Sequence, residues 1–64
     1  MAKLTMKAAR VLADIRLMDA AKALNVSRTT MMHWEKGDSY PNALQFSRMC
    51  SLYGVSMDDI FLPV

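Results

Sequence analysis

Apolar residues recur every three or four positions along this chain, and short groups of turn-forming residues interrupt the pattern at close intervals. Such spacing places apolar side chains along one face of an α-helix, and the alternation typical of a half-buried strand is missing. The sequence therefore predicts an all-α fold of four to five short helices. Because the chain has only 64 residues, it has room for one small core, and we expect a single domain over residues 1–64.

Residues that favour helix ends predict where the helices lie. Side chains that can accept a hydrogen bond from the first turn of a helix stand at Thr5, Ser27 and Asn42. Gly37 and Gly54 favour the left-handed backbone that ends a helix. The predicted helices cover residues 6–13, 17–24, 28–36 and 43–53.

The C-terminal segment predicts one further short helix. Ser56 followed three residues later by Asp59 resembles a capping box, with Asp in place of the usual Glu. We expect Ile60 and Phe61 to fold back from the end of this helix onto the core.

One acidic residue falls on an inward helix face. On a helical wheel, Glu35 shares the face of Met31 and Trp34, both of which are typical core residues. A carboxylate at such a position requires a charged partner. Arg10 lies on the inward face of the first helix, so the sequence predicts a structural ion pair between Arg10 and Glu35.

The second and third predicted helices form a helix-turn-helix pattern over residues 17–36. The tight turn Asn25-Val26-Ser27 joins them, and the small Ala20 and Ala21 allow the two helices to approach closely. The outward face of the third helix is polar apart from one thioether. It consists of Arg28, Thr29, Met32, His33 and Lys36.

The segment AAKALNVSRTTMMHWEKGDSYP resembles the phage repressor and Cro-type (XRE) helix-turn-helix family. The matching features are Ala20-Ala21, Leu24, Val26-Ser27, the WEKG sequence at 34–37 and Tyr40-Pro41. The resemblance continues into GVSMDDIF near the C-terminus, so it covers roughly residues 7–61. It implies an all-α repressor-like fold, and in this family an ion pair ties the first helix to the third.

The resemblance implies sequence-specific binding of double-stranded DNA, with the helix at about 28–36 lying in the major groove. The implied activity is transcriptional regulation, most simply repression. Arg28 suits a bidentate contact to guanine, and the methyl groups of Thr29 and Met32 suit thymine. We expect four base-contacting residues, of which the first two rank highest: Arg28, Thr29, His33 and Met32.

Contacts to phosphates are expected from residues that flank the third helix. By resemblance, the loop after WEKG follows the DNA backbone, which assigns phosphate contacts to Lys36, Ser39, Tyr40 and Asn42. All eight Lys and Arg residues lie within residues 1–48, together with four of the six acidic residues. A basic region of this kind is suited to a polyanionic partner.

The sequence departs from the family pattern at the start of the second helix. The family usually has Gly near Asp14, Ser or Thr near Arg16 and Gln near Leu17. Because Leu17 cannot form a hydrogen bond, we expect it to join the core and Arg16 to supply a phosphate contact. This cluster of departures also raises the hypothesis of a scaffold redesigned for a different specificity.

A second function class stays open at this point: a helical protein-interaction module, such as an antitoxin-like partner or a dimerisation adaptor. Its evidence would be apolar side chains on the surface, for which the candidates are Leu17, Met18, Met32 and Leu44. Leu44, Leu52 and the tail at 61–64 are equally suited to a homodimer on a palindromic site or to completing the core.

Several function classes are not supported by the sequence. A single cysteine, Cys50, excludes an intramolecular disulfide and a Cys-based zinc site, and His33 has no second histidine beside it. Nothing pairs a nucleophile with a base, so we expect no enzymatic activity, cofactor, metal or small-molecule ligand. No apolar run approaches a membrane span and no signal peptide is evident. The expected location is the cytoplasm of a bacterial or phage-type system.

Overall fold

The computed structural model describes residues 3–61, and this part of the chain is all-α, as predicted. Four α-helices are followed by a single turn of 3₁₀ helix. The predicted boundaries of the α-helices hold to within one residue. In chain order the helices are α1 (Met6–Leu12), α2 (Leu17–Ala23), α3 (Arg28–Lys36), α4 (Ala43–Tyr53) and the 3₁₀ turn Met57–Asp59.

Side-chain caps fix the start of three α-helices. The cap oxygen accepts the backbone N–H three residues later, at 3.0 Å for Thr5, 3.1 Å for Ser27 and 2.8 Å for Asn42. Each such bond satisfies one of the N–H groups that lack a partner in the first turn. Helix α2 is the exception, because Arg16 occupies its N-cap position and provides no side-chain hydrogen bond.

The four α-helices all end in the same backbone motif. A left-handed residue follows each helix, and two backbone hydrogen bonds close the end, as in the bonds from Asn25 to Lys22 (3.1 Å) and from Val26 to Ala21 (2.9 Å). The left-handed residues are Asp14 (φ 59°), Asn25 (φ 57°), Gly37 (φ 86°) and Gly54 (φ 72°). After three of the helices the next residue is apolar and packs against the core: Ile15, Val26 and Val55.

The core is assembled from the inward faces of the four α-helices. Ala20 and Ala21 have almost no exposed surface, which lets α2 pack closely against α3. Met31 of α3 and Met49 of α4 are the largest side chains that are completely enclosed. The buried apolar side chains are Met6, Ala9, Ala20, Ala21, Leu24, Met31, Trp34, Phe46, Met49, Cys50, Tyr53 and Ile60. Ala13 and Leu17, which also fall on predicted inward faces, are only partly buried.

A short parallel bridge joins the two ends of the described chain. The Leu4 N–H donates to the Asp59 carbonyl (2.9 Å), and the Phe61 N–H donates to the Leu4 carbonyl (2.7 Å). Successive side chains of extended backbone point to opposite sides, so Ile60 is buried while Phe61 remains 52% exposed. The prediction that Phe61 packs on the core is therefore wrong. Residues 62–64 of the apolar tail lie outside the described residues.

Candidate nucleic-acid interface

Helix α3 has one face fixed in the core and one face directed to solvent. Met31 and Trp34 are buried and hold the helix against the rest of the protein. Four polar side chains of the opposite face are exposed: Arg28, Thr29, His33 and Lys36. The fifth member of that face, Met32, is half-buried. The structure therefore brings the predicted base-contacting residues together on one accessible helix face.

The turn between α2 and α3 sets how α3 is presented. Val26 packs against the core immediately after the left-handed Asn25. Ser27 then caps α3, and its hydroxyl also donates to the Thr30 hydroxyl at 3.0 Å. With both ends of the turn held in this way, the first residues of α3 have a defined position.

A bidentate ion pair connects α1 to α3. Arg10 Nε donates to Glu35 Oε2 at 2.7 Å, and Nη2 donates to Oε1 at 3.3 Å. The remaining Nη1 donates to the Ile15 carbonyl at 2.9 Å, in the turn that leads into α2. Only 11% of the Arg10 side chain and 9% of the Glu35 side chain is exposed to solvent. The hydrogen bond that Arg10 donates to Glu35 raises the pKa of Arg10, although burial acts to lower it.

Tyr53 of α4 lies in the electrostatic environment of this pair. Its hydroxyl is buried and has no hydrogen-bond partner among the described residues. Burial, followed by the nearby Glu35 carboxylate, raises the pKa of Tyr53 to about 12. The phenol therefore stays neutral in the folded protein at any ordinary pH.

A cleft of about 330 Å³ opens beside the ion pair, where α1, the start of α2 and the end of α3 come together. We call it the three-helix cleft. Sequence reasoning did not single out Lys7, although its position three residues before Arg10 places both on one face of α1. The side chains that line this cleft are Lys7, Arg10, Leu17, Met32, Glu35 and Lys36.

The predicted phosphate-contacting residues fall into two locations. Lys36 is exposed at the end of α3, and the loop that follows contains the half-buried Ser39 and the exposed Tyr40. Asn42 ends that loop, with its side-chain oxygen committed to the α4 cap. Arg16 is exposed elsewhere, at the start of α2. It lines a different cleft, together with the carboxylates of Asp14 and Asp19.

Two of the four apolar residues considered for a protein-docking surface are not freely exposed. Leu17 packs partly against the core and Met32 is half-buried, because both line the three-helix cleft. Met18 and Leu44 are exposed. Other large apolar side chains of the described residues are exposed as well, namely Val11, Leu12, Met57 and Phe61, so the exposed apolar surface is only partly the one that the sequence indicated.

Residues 3–61 contain no group of three or more His, Cys, Asp or Glu side chains placed to hold a metal ion. Cys50 is buried, and this burial, followed by the charge of Asp59, raises the pKa of its thiol. The longest described helix, α4, has 11 residues, and no helix in this part of the chain is long and apolar enough to cross a membrane.

A family model described as a helix-turn-helix domain matches residues 4–60. The match includes both helices of the motif, the turn between them and all residues of the three-helix cleft. Searches of curated proteins and of solved structures gave no significant match. The match agrees with the resemblance to the phage repressor and Cro-type family, and the chain therefore belongs to the helix-turn-helix domain family.

Proposed function

We propose that this protein is a transcriptional regulator that binds double-stranded DNA sequence-specifically through α3 in the major groove. The observation that carries the proposal is the exposed polar face of α3, opposite a face anchored by Met31 and Trp34. A helix held in this manner can enter the groove without losing its own packing. The helix-turn-helix family suggests DNA binding and regulation, and helix-turn-helix domains place the second helix of the motif in this groove.

The side chains of α3 supply the chemistry for distinguishing base pairs. Arg28 and Thr29 occupy the N-terminal end of the helix, which reaches base edges most readily. Arg28 suits the O6 and N7 acceptors of guanine, a pairing that contributes about 1–3 kcal/mol of discrimination. His33 can donate to or accept from a base edge, and Met32 offers an apolar contact.

Phosphate contacts would set the orientation of the protein on the duplex. We assign them to Lys36, to Ser39 and Tyr40 in the following loop, and to the side-chain NH₂ of Asn42. Arg16 is a weaker candidate, because two carboxylates line the cleft beside it. Contacts of this type release counterions from DNA, so binding should weaken steeply with added salt.

Repression by occupying an operator is the simplest regulatory mechanism for a domain of this size. One recognition helix of nine residues contacts only a few base pairs, and two-fold dimers on palindromic sites extend the recognised sequence. We therefore propose a homodimer on DNA. The compartment would be the one that holds the DNA, the cytoplasm of a bacterial or phage-type system.

Selection of bound duplexes from a randomised DNA pool at moderate salt tests the proposal. We expect a short enriched motif, mirrored about one helical turn apart if the protein binds as a dimer. On the selected duplex, Arg28→Ala should lower affinity by about 1–3 kcal/mol and relax the preference at one position. Lys36→Ala should weaken binding to all sequences similarly.

Two results would contradict the proposal. If folded protein retains no DNA, the alternative of a protein-interaction module gains support, because Met18 and Leu44 offer exposed apolar surface. If Arg28→Ala weakens binding to every sequence equally, Arg28 does not contact a base edge.

A further inference from the structure

We propose that the three-helix cleft receives the 5-methyl group of a pyrimidine in the major groove, and that Lys7 contacts a phosphate beside it. The methyl group belongs to thymine or to 5-methylcytosine. This inference rests on the proposed DNA binding, and it adds Leu17 and Lys7 to the residues that determine how DNA is bound.

The apolar part of the cleft comes from both helices of the helix-turn-helix motif. Met32 lies in the middle of α3, on the face that the proposed function directs to DNA, and Leu17 is the first residue of α2. Both side chains are half-buried and line the same cleft. A hydrogen-bonding base edge would gain nothing from either of them. The 5-methyl group of thymine is the apolar group that unmodified base pairs present in the major groove.

The charges around the cleft favour a polyanion as its occupant. Lys7 and Lys36 are exposed and line the cleft on the side of α1 and at the end of α3. The carboxylate of Glu35 also lines it, but its charge is compensated by Arg10 at 2.7 Å. The cleft thus has an excess of positive charge around an apolar region. This combination fits a methyl-bearing base flanked by phosphates better than an apolar segment of another protein.

Replacement of thymine by uracil in the selected duplex provides the test, because it removes the methyl group and nothing else. Burial of one methyl group corresponds to about a fourfold change in affinity. We expect one thymine at which uracil weakens wild-type binding about fourfold. If a cytosine faces the cleft instead, 5-methylcytosine at that position should strengthen binding by a similar factor.

Two cleft variants and one control identify the residues responsible. Leu17→Gln, which keeps the side-chain length, and Met32→Ala should each abolish the methyl effect at that position. Leu12→Ala removes an exposed leucine that does not line the cleft, so it should retain the full effect. Lys7→Ala should reduce the slope of log affinity against log salt by about 0.9, without changing the methyl effect.

The outcomes separate this inference from the proposed function. Specific binding in which no single position shows a methyl effect, or in which both cleft variants keep that effect, overturns the methyl site alone. An unchanged salt slope for Lys7→Ala overturns the phosphate contact. If the selection yields no motif, the proposed sequence-specific binding fails, and this inference fails with it.

Discussion

Loss of Arg10 should destabilise this protein more than removal of any of its exposed charges. Arg10 makes three hydrogen bonds, two to Glu35 and one to the Ile15 carbonyl, so its guanidinium joins α1 to α3 and to the turn before α2. The substitution Arg10→Met removes all three. It also leaves the Glu35 carboxylate largely enclosed without its cation.

The expected magnitude is large compared with the total stability. Removing one partner of a buried ion pair costs about 3–5 kcal/mol, and the lower end applies here because about a tenth of each side chain remains exposed. A chain of 64 residues has a free energy of unfolding of about 3–10 kcal/mol in total. Arg10→Met should therefore remove about 3 kcal/mol and bring the protein close to its folding threshold. Replacing both partners, as in Arg10→Met with Glu35→Leu, should restore most of this loss, because no charge is then left unpaired.

Urea unfolding followed by the fluorescence of Trp34 measures these changes, since Trp34 is the single tryptophan and is buried. Arg48→Met is the matched control, because it makes the same chemical change at an exposed arginine of α4. It should shift the free energy of unfolding by no more than about 0.5 kcal/mol. The reasoning is refuted if Arg10→Met and Arg48→Met have equal effects. It is also refuted if the double variant is destabilised by the sum of its two single changes.

Two further predictions concern α2 and α4. Arg16→Ser should raise the free energy of unfolding by about 1 kcal/mol, because the backbone at position 16 (φ −74°, ψ 153°) nearly matches that of the capping Ser27 (φ −75°, ψ 158°). Urea unfolding should show no such gain for Arg16→Ala, and equal stability of the two variants would exclude a cap. Tyr53→Phe should leave the free energy of unfolding unchanged or higher at pH 8. Between pH 10 and 12, ionisation of Tyr53 should lower the free energy of unfolding of the wild-type protein by up to about 2 kcal/mol, and the variant should lack this decrease. That decrease arises because the unfolded phenol deprotonates near pH 10 while the folded one stays neutral; parallel pH curves for the two proteins in urea unfolding would disprove it.

The helix boundaries were predictable because their signals are local. A cap such as Ser27 or Asn42 acts within one turn, and glycine at a helix end needs no information from the rest of the fold. At Asp14 the sequence signal for a helix end is weak. This residue adopts the same left-handed conformation as the other helix ends, at φ 59°, but its residue type marks the position only weakly.

The candidate site was predictable in part for a related reason. The outward face of α3 follows from the period of a single helix, so its members could be listed from the sequence. The three-helix cleft combines residues from α1, α2 and α3, and its shape depends on how those helices cross. Helical periodicity therefore identified Met32 but not its proximity to Leu17 or Lys7. The exposure of Phe61 was missed because it depends on a bridge to Leu4, near the other end of the chain.

The Arg10–Glu35 pair connects the stability of the protein to the electrostatics of its proposed DNA surface. The two side chains hold α1 against α3, and they also form part of the wall of the three-helix cleft. A carboxylate there would repel phosphates if it were unpaired, so the bond that stabilises the fold also makes the surface compatible with a polyanion. Substitutions of Arg10 should therefore change both the stability of the fold and the proposed DNA binding. Lys7 and Arg28 are exposed and lie outside the core, so substitutions there should test the proposed DNA contacts while the fold is maintained.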